Sequence, residues 1–165
     1  MTSAERLYVA VCGAADASEH DTAQAEAVGR ELARSGAILV CGGLGGVMEA
    51  AVRGAAAEGG VSVGILPGDS RAGAADGLTA SIPTGMGEMR NALVVRAADA
   101  LIAIGGEFGT LSEIALALKT GVPVVGLDTW ELAKAGSAVD AITTASTPEA
   151  AVEHALRLAR ASPSG

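Results

Sequence analysis

The stretch Ala37-Ile38-Leu39-Val40-Cys41-Gly42-Gly43-Leu44-Gly45-Gly46-Val47-Met48-Glu49-Ala50 carries the reading of the whole chain. Its first residues are a continuous apolar run, the pattern of a strand covered on both faces. Glycines follow at once, and a helical stretch opens at Val47. The same unit recurs on either side. Strands are expected at Leu7–Cys12, Ala37–Cys41, Val61–Leu66, Leu78–Ile82, Leu101–Ile104 and Val122–Leu127, with a weaker one at Ala141–Thr144. Helices are expected near Thr22–Arg34, Val47–Glu58, Glu88–Ala98, Thr110–Lys119 and Pro148–Arg160. This alternation predicts an α/β fold: one domain over residues 1–165, a doubly wound, mostly parallel, Rossmann-like sheet of about six to seven strands flanked by helices. The ends, about 1–6 and 161–165, are expected to fray.

The helix ends carry their own punctuation. Gly36 and Gly121 follow the first and fourth helices as left-handed C′ residues. Thr147-Pro148-Glu149 opens the last helix with an N-cap, a proline at the first position and an acid near the positive dipole end. Its apolar side is Val152, Ala155, Leu156 and Ala159. The glycine-bearing stretch Pro67–Gly77 is the longest loop and a candidate flap.

Composition narrows the function classes. Half of the 165 residues are hydrophobic and 18% are charged, which excludes disorder. With one Trp, one Tyr and one Phe, the core must be built from Ala, Val, Leu and Ile. A net charge of −8 argues against a broad basic face for nucleic acid. No apolar run is long enough for a bilayer, and Met1–Ala10 lacks the pattern of a signal peptide, so a cytoplasmic protein is expected. Cys12 and Cys41 are too few for a disulfide framework and read as small core residues. No metal site is expected, because His20 and His154 stand alone and no CxxC occurs.

Candidate chemistry gathers where strands end and helices begin. The segments are Gly42-Gly43-Leu44-Gly45-Gly46, then Gly85-Met86-Gly87-Glu88-Met89-Arg90-Asn91, then Gly105-Gly106-Glu107-Phe108-Gly109-Thr110-Leu111-Ser112-Glu113. Glycines let backbone approach a ligand, and a helix start offers N–H groups to an anion. GxGxxG and GxxxxGK[ST] are absent, and the one GxSxG match, Gly60-Val-Ser-Val-Gly64, runs into the strand Val61–Leu66 instead of forming a strand-to-helix elbow, which removes the ordinary dinucleotide, NTPase and serine-hydrolase readings. Lys119 and Lys134, the only lysines, lie away from the glycine loops, so a Schiff-base lysine has no natural place. Each segment also has a plain structural reading. A glycine turn makes a tight strand–helix connection, and Thr110-x-x-Glu113 is a capping box. Asp16, Asp69 and Thr84 are further candidates for the cleft; Asp69 and Thr84 follow strand ends, where acids and hydroxyls more often serve turns. Arg90 at a helix start opposes the dipole, which favours a negatively charged ligand beside it.

The ordered set Cys41-Gly-Gly-Leu-Gly-Gly-Val-Met-Glu-Ala50, Gly87-Glu-Met-Arg-Asn-Ala92 and Gly109-Thr-Leu-Ser-Glu113 resembles the LONELY GUY family and the related molybdenum cofactor carrier proteins. The resemblance covers about Leu7 to Leu127. It implies a phosphate or nucleotide site formed by Gly42, Gly43, Gly45, Gly46, Met86, Gly105, Gly106, Gly109 and Thr110, with Glu113 and Arg90 as catalytic residues. It also implies a homodimer or homotetramer, a small phosphate-bearing ligand, and neither nucleic acid nor membrane as partner. The hydrolase pattern PGGxGTxxE reads here as Ile104-Gly-Gly-Glu-Phe-Gly-Thr-Leu-Ser-Glu113, without the proline and with one extra residue. Asn91 replaces the lysine after the arginine. The stretches Gly42–Ala50 and Ile104–Gly121 look closer to the carrier branch.

The expected function is therefore a nucleoside 5′-monophosphate phosphoribohydrolase, in which Glu113 orients or deprotonates water and Arg90 holds the phosphate or the leaving base. That reaction requires no cofactor. The alternative is a non-hydrolytic carrier that keeps a bound nucleotide or pterin-type cofactor in the same pocket. A third reading, an oligomeric scaffold without a pocket, is disfavoured by the intact glycine turns.

Overall fold

A computed structural model of the chain describes residues 5–162. The ends expected to fray fall largely outside that range. The elements, in chain order, are β1 Tyr8–Gly13, α1 Glu19–Arg34, β2 Ile38–Cys41, α2 Val47–Ala57, β3 Val61–Leu66 and β4 Ala80–Pro83. A single 3₁₀ turn, Gly87–Arg90, leads into α3 Asn91–Arg96, and then come β5 Ala100–Ile104, α4 Phe108–Thr120 and β6 Val124–Leu127. The chain closes with β7 Leu132–Lys134, β8 Ser137–Val139, β9 Thr143–Ala145 and α5 Pro148–Ala161. Seven strands form one parallel sheet in the order β4-β3-β2-β1-β5-β6-β9. The doubly wound α/β fold expected from the sequence is present.

Alternation along each strand divides the core into two layers. Val9 and Val11 of β1, Leu39 and Cys41 of β2, and Ile102 and Ile104 of β5 face α1, α2 and α5. Ala10, Cys12, Val40, Leu101 and Ala103 face the opposite way, toward α3 and α4. Both faces are covered, which is why the strands read as unbroken apolar runs. The last helix starts as expected: Thr147 Oγ1 accepts from the Ala150 N–H at 3.1 Å, and Val152, Ala155, Leu156 and Ala159 are buried.

Several expectations need correction. The helix expected at Glu88–Ala98 begins instead as a 3₁₀ turn, and α3 itself is only six residues long. Arg90 sits at the end of that turn and sends its side chain inward, a placement that the tighter winding accommodates. Residues 132–139, which carry no apolar pattern and include Lys134, form a small antiparallel hairpin rather than a linker. Its turn uses left-handed backbone at Ala135 and Gly136, as two-residue hairpins require. The candidate flap is docked, not free. Within it the Ala75 N–H donates to the Gly43 carbonyl at 2.8 Å, and the Gly85 N–H to Gly68 at 2.8 Å.

Helices α1 and α2 cross with backbone nearly touching backbone. A Cβ on Gly29 would come within 2.0 Å of the Ala51 carbonyl oxygen, and one on Gly54 within 2.0 Å of the Glu26 oxygen. Helix propensity favours alanine at both sites by about 1 kcal/mol, but no rotamer change relieves a clash with backbone. Gly29→Ala and Gly54→Ala should each lower stability by about 1–3 kcal/mol in urea unfolding, the range for overpacked sites. Gly109→Ala, with open space around it in α4, should leave stability unchanged or raise it.

Candidate functional site

The strand order reverses at β1. From β1 the chain winds outward through β2, β3 and β4, then returns to place β5 on the other side of β1. The carboxyl ends of β1 and β5 are therefore the point where flanking loops diverge and leave a crevice. A cavity of about 280 Å³ lies there. Its walls come from the end of β1 and the loop that follows it (Val11–Asp16), from Gly42, Leu44 and Met48, from Arg90 and Asn91, and from Glu107, Gly109, Thr110 and Glu113.

Arg90 is buried, at 9% exposure, and has no carboxylate within ion-pair distance among the described residues. Backbone carbonyls hold it instead. Its Nε donates to the Ile65 oxygen at 2.8 Å and its Nη2 to the Gly42 oxygen at 3.2 Å, while Nη1 donates to Asn91 Oδ1. Gly42 has to be glycine for this, because a Cβ there would meet Nη2 at 2.5 Å. These bonds use three of the five N–H donors and leave two for a ligand. Burial pulls the Arg90 pKa down, against Glu113 and Cys41, which raise it. The guanidinium remains a cation at any ordinary pH.

Glu113 faces the same cavity and is 7% exposed. Burial pushes its pKa up to about 7, opposed by the Arg90 charge and by a hydrogen bond from the Cys12 thiol. The thiol is itself pushed well above its usual range, first by burial and then by Glu113. Cys12 is thus part of the cavity wall as well as of the core. Cys41 lies in the opposite layer, its thiol pushed up to about 11 by burial.

The expected capping box does not form. Helix α4 starts at Phe108 with Glu107 as its N-cap, and no side chain caps it. Thr110 and Glu113 lie inside the helix, buried and turned toward the cavity, because the helix starts two residues before Thr110 and leaves it no capping position. The first helical bond runs from the Leu111 N–H to the Glu107 carbonyl at 3.0 Å, so the amides of Phe108, Gly109 and Thr110 have no helical partner. Glu107 is exposed at the rim.

The remaining predicted residues take other places. Gly46 caps α2 with φ +64°, where a Cβ would strike the Ala14 and Ala15 carbonyls at 2.2 and 2.4 Å. Val47 donates its N–H to Ala14 at 3.0 Å. The Gly45–Gly46 turn therefore seats the β1–α1 loop, and Gly43 packs against Leu66 and Gly64 of β3. Neither Gly43, Gly45 nor Gly46 lines the cavity. Met86 is 42% exposed before the 3₁₀ turn, away from it. Gly105 and Gly106 border a separate recess with Asp128, Thr129 and Trp130. Thr84 serves its turn, donating to the Leu66 carbonyl at 2.7 Å, and Asp69 is exposed. His20 does not stand alone, since its Nε2 lies 3.0 Å from Asp128 Oδ2. The wall formed by Gly13, Ala14 and Ala15 was missed, because a small apolar turn after the first strand carries no chemical signature. Its one signal is position: the first βα turn of a doubly wound sheet always lies at this edge.

Comparison with known proteins bears on this architecture directly. The SLOG cluster4 family model matches residues 6–154. An uncharacterized protein of Archaeoglobus fulgidus is 39% identical over 150 residues, 91% of this chain and 95% of that one. The molybdenum cofactor binding protein from the phototrophic bacterium Rippkaea orientalis superposes with a TM-score of 0.87 at 34% identity, covering 94% of this chain and 99% of that chain. The molybdenum cofactor carrier protein from Chlamydomonas reinhardtii superposes with a TM-score of 0.82 at 33% identity, covering 93% and 98%. The chain belongs to the SLOG cluster4 family and shares its fold with the molybdenum cofactor carrier proteins.

Proposed function

We propose that the chain binds a phosphate-bearing pterin of the molybdenum cofactor type and holds it as cargo without cleaving it. The observation that carries this reading is the pairing of a buried, carbonyl-held Arg90 with a protonatable Glu113 across one cavity. Full-length similarity to proteins that bind or carry that cofactor supports it over hydrolysis, the function expected from sequence.

The donor set suits such a ligand. The unpartnered amides at the start of α4 and the two spare N–H groups of Arg90 match a phosphate. Glu113 and Asn91 offer acceptor and donor groups to the amino-pyrimidinone edge of a pterin. The cavity of about 280 Å³ is at the low end for small-molecule pockets, near 300 Å³ and above, so part of the ligand extends past the rim.

One feature favours phosphoribohydrolase activity as the second reading. A carboxyl with a pKa of about 7 is matched to general-base work at neutral pH. The two readings separate on Glu113→Gln. A carrier keeps most of its ligand affinity in that variant, because the glutamine amide retains the acceptor and donor of a protonated Glu113, whereas a hydrolase loses turnover by roughly 10²-fold or more. Base release from AMP, GMP or CMP should stay at blank level in the wild type. Release that disappears in Glu113→Gln would establish the hydrolase instead. Arg90→Met should reduce pterin retained through purification, read as fluorescence of the extracted pterin, by about tenfold or more, as for loss of a charge-assisted contact.

Glu113 also makes a prediction about stability. Its folded pKa of about 7 lies above the ordinary value of 4.5, so the folded state binds the extra proton between those values. Stability from this residue is therefore greatest below about pH 4.5 and falls as pH rises to about 7. Glu113→Gln should be more stable than wild type at pH 8, by up to about 3 kcal/mol at about 1.4 kcal/mol per pKa unit. The gap should close near pH 4.5 in urea titrations.

A further inference from the structure

Of the chain's three aromatic residues, Trp130 and Phe108 stand together beside the candidate site. Their ring centroids are 5.6 Å apart at an interplanar angle of 40°. Phe108 is 75% exposed, the highest value among the exposed large apolar side chains described. Trp130 rests against the core layer under α4, and its indole N–H is buried with no acceptor among the described residues. Packing alone holds that ring.

Trp130 lines a recess of about 290 Å³ with Gly105, Gly106, Asp128 and Thr129, and Phe108 stands beside it through its contact with the indole. Asp128 takes up left-handed backbone at φ +50°, unusual for a residue other than glycine. His20 and Gln24 of α1 hold its Oδ2 at 3.0 and 2.9 Å, and its other carboxylate oxygen has no partner among the described residues. Thr129 Oγ1 donates to the Gly105 carbonyl at 2.5 Å, fixing the floor. The residues that follow directly, Glu107, Gly109 and Thr110, line the first cavity. One short segment therefore separates the two hollows.

We infer that this recess is a second subsite for a nucleoside joined through its phosphate to the group in the first cavity. The base packs against Trp130 with the exposed Phe108 ring at its edge, and the free oxygen of Asp128 accepts from a sugar hydroxyl or a ring amino group. The phosphate bridges the segment between, against the open amides of α4. A flat ring is favoured as occupant because the recess joins an aromatic wall to a carboxylate and backbone carbonyls. The inference rests on the reading of the first cavity as a phosphate site, and the test separates the two.

The single tryptophan makes the recess its own reporter. The full chain is titrated with GMP, CMP, ribose 5-phosphate and inorganic phosphate, followed by tryptophan emission and calorimetry. GMP or CMP should change Trp130 emission and bind about tenfold or more tighter than ribose 5-phosphate, as base–aromatic stacking supplies. Phe108→Ala, an exposed position that leaves folding intact, should bring nucleotide affinity down to that of ribose 5-phosphate and leave the latter unchanged. Asp128→Ala should weaken nucleotide binding alone. Equal affinities without an emission change, where ribose 5-phosphate binding still depends on Arg90, would overturn this inference and leave the first reading standing. A change in molecular mass on Phe108→Ala with nucleotide affinity intact would also overturn it, making the aromatic pair a contact between copies. Binding of none of the ligands by the wild type would overturn both.

Discussion

Arg90 is where fold and site meet. A buried guanidinium without a carboxylate partner is costly unless other groups satisfy it. Here the carbonyls after β2 and near the end of β3 do so, through Gly42 and Ile65. Those carbonyls are available because parallel strands end in step at one edge of the sheet. The cation in turn pins the 3₁₀ turn over the edge and fixes the position of α3 behind it. Gly42 must lack a side chain for the guanidinium to lie where it does. Remove this arrangement and the crevice loses both its charge and one of its walls.

Across the cavity, Glu113 completes an unbalanced pair. Were it held within ion-pair distance of Arg90, its pKa would fall well below the ordinary carboxylate value. Instead burial dominates and raises it to about 7. The thiol of Cys12 supplies a weak hydrogen bond and no charge. The site thus keeps a cation and a readily protonated acid apart, with room between them. That is a poor arrangement for stability and a good one for a guest carrying both an anionic group and a polar ring. Sites that break local rules of satisfaction are where function is expected.

Much of this was legible in the sequence, for a simple reason. Strands buried on both faces must be apolar throughout, so runs such as Ile38–Cys41 and Ala100–Ile104 identify themselves. Glycine turns and helix starts mark the carboxyl edge, which is why Arg90, Gly109, Thr110 and Glu113 were found together. What the sequence could not distinguish was which contact each residue makes. Thr110 and Glu113 have the spacing of a capping box, but the helix starts at Phe108 and carries both inside it. The Gly45–Gly46 turn looked like a ligand cradle but holds the neighbouring loop, a long-range contact that local pattern does not encode. The hairpin at 132–139 escaped notice because it buries little, and period-2 alternation appears only where one face is covered.

The central claim is that one phosphate-bearing guest sits between Arg90, Glu113 and the first turn of α4. A crystal structure of the chain soaked with a phosphate-bearing pterin tests it most directly. The account predicts the phosphate on the amides of Gly109 and Thr110, within hydrogen-bonding distance of Arg90, with a ring edge on Glu113. A ligand seated elsewhere on the molecule, with this crevice filled only by solvent, would contradict it.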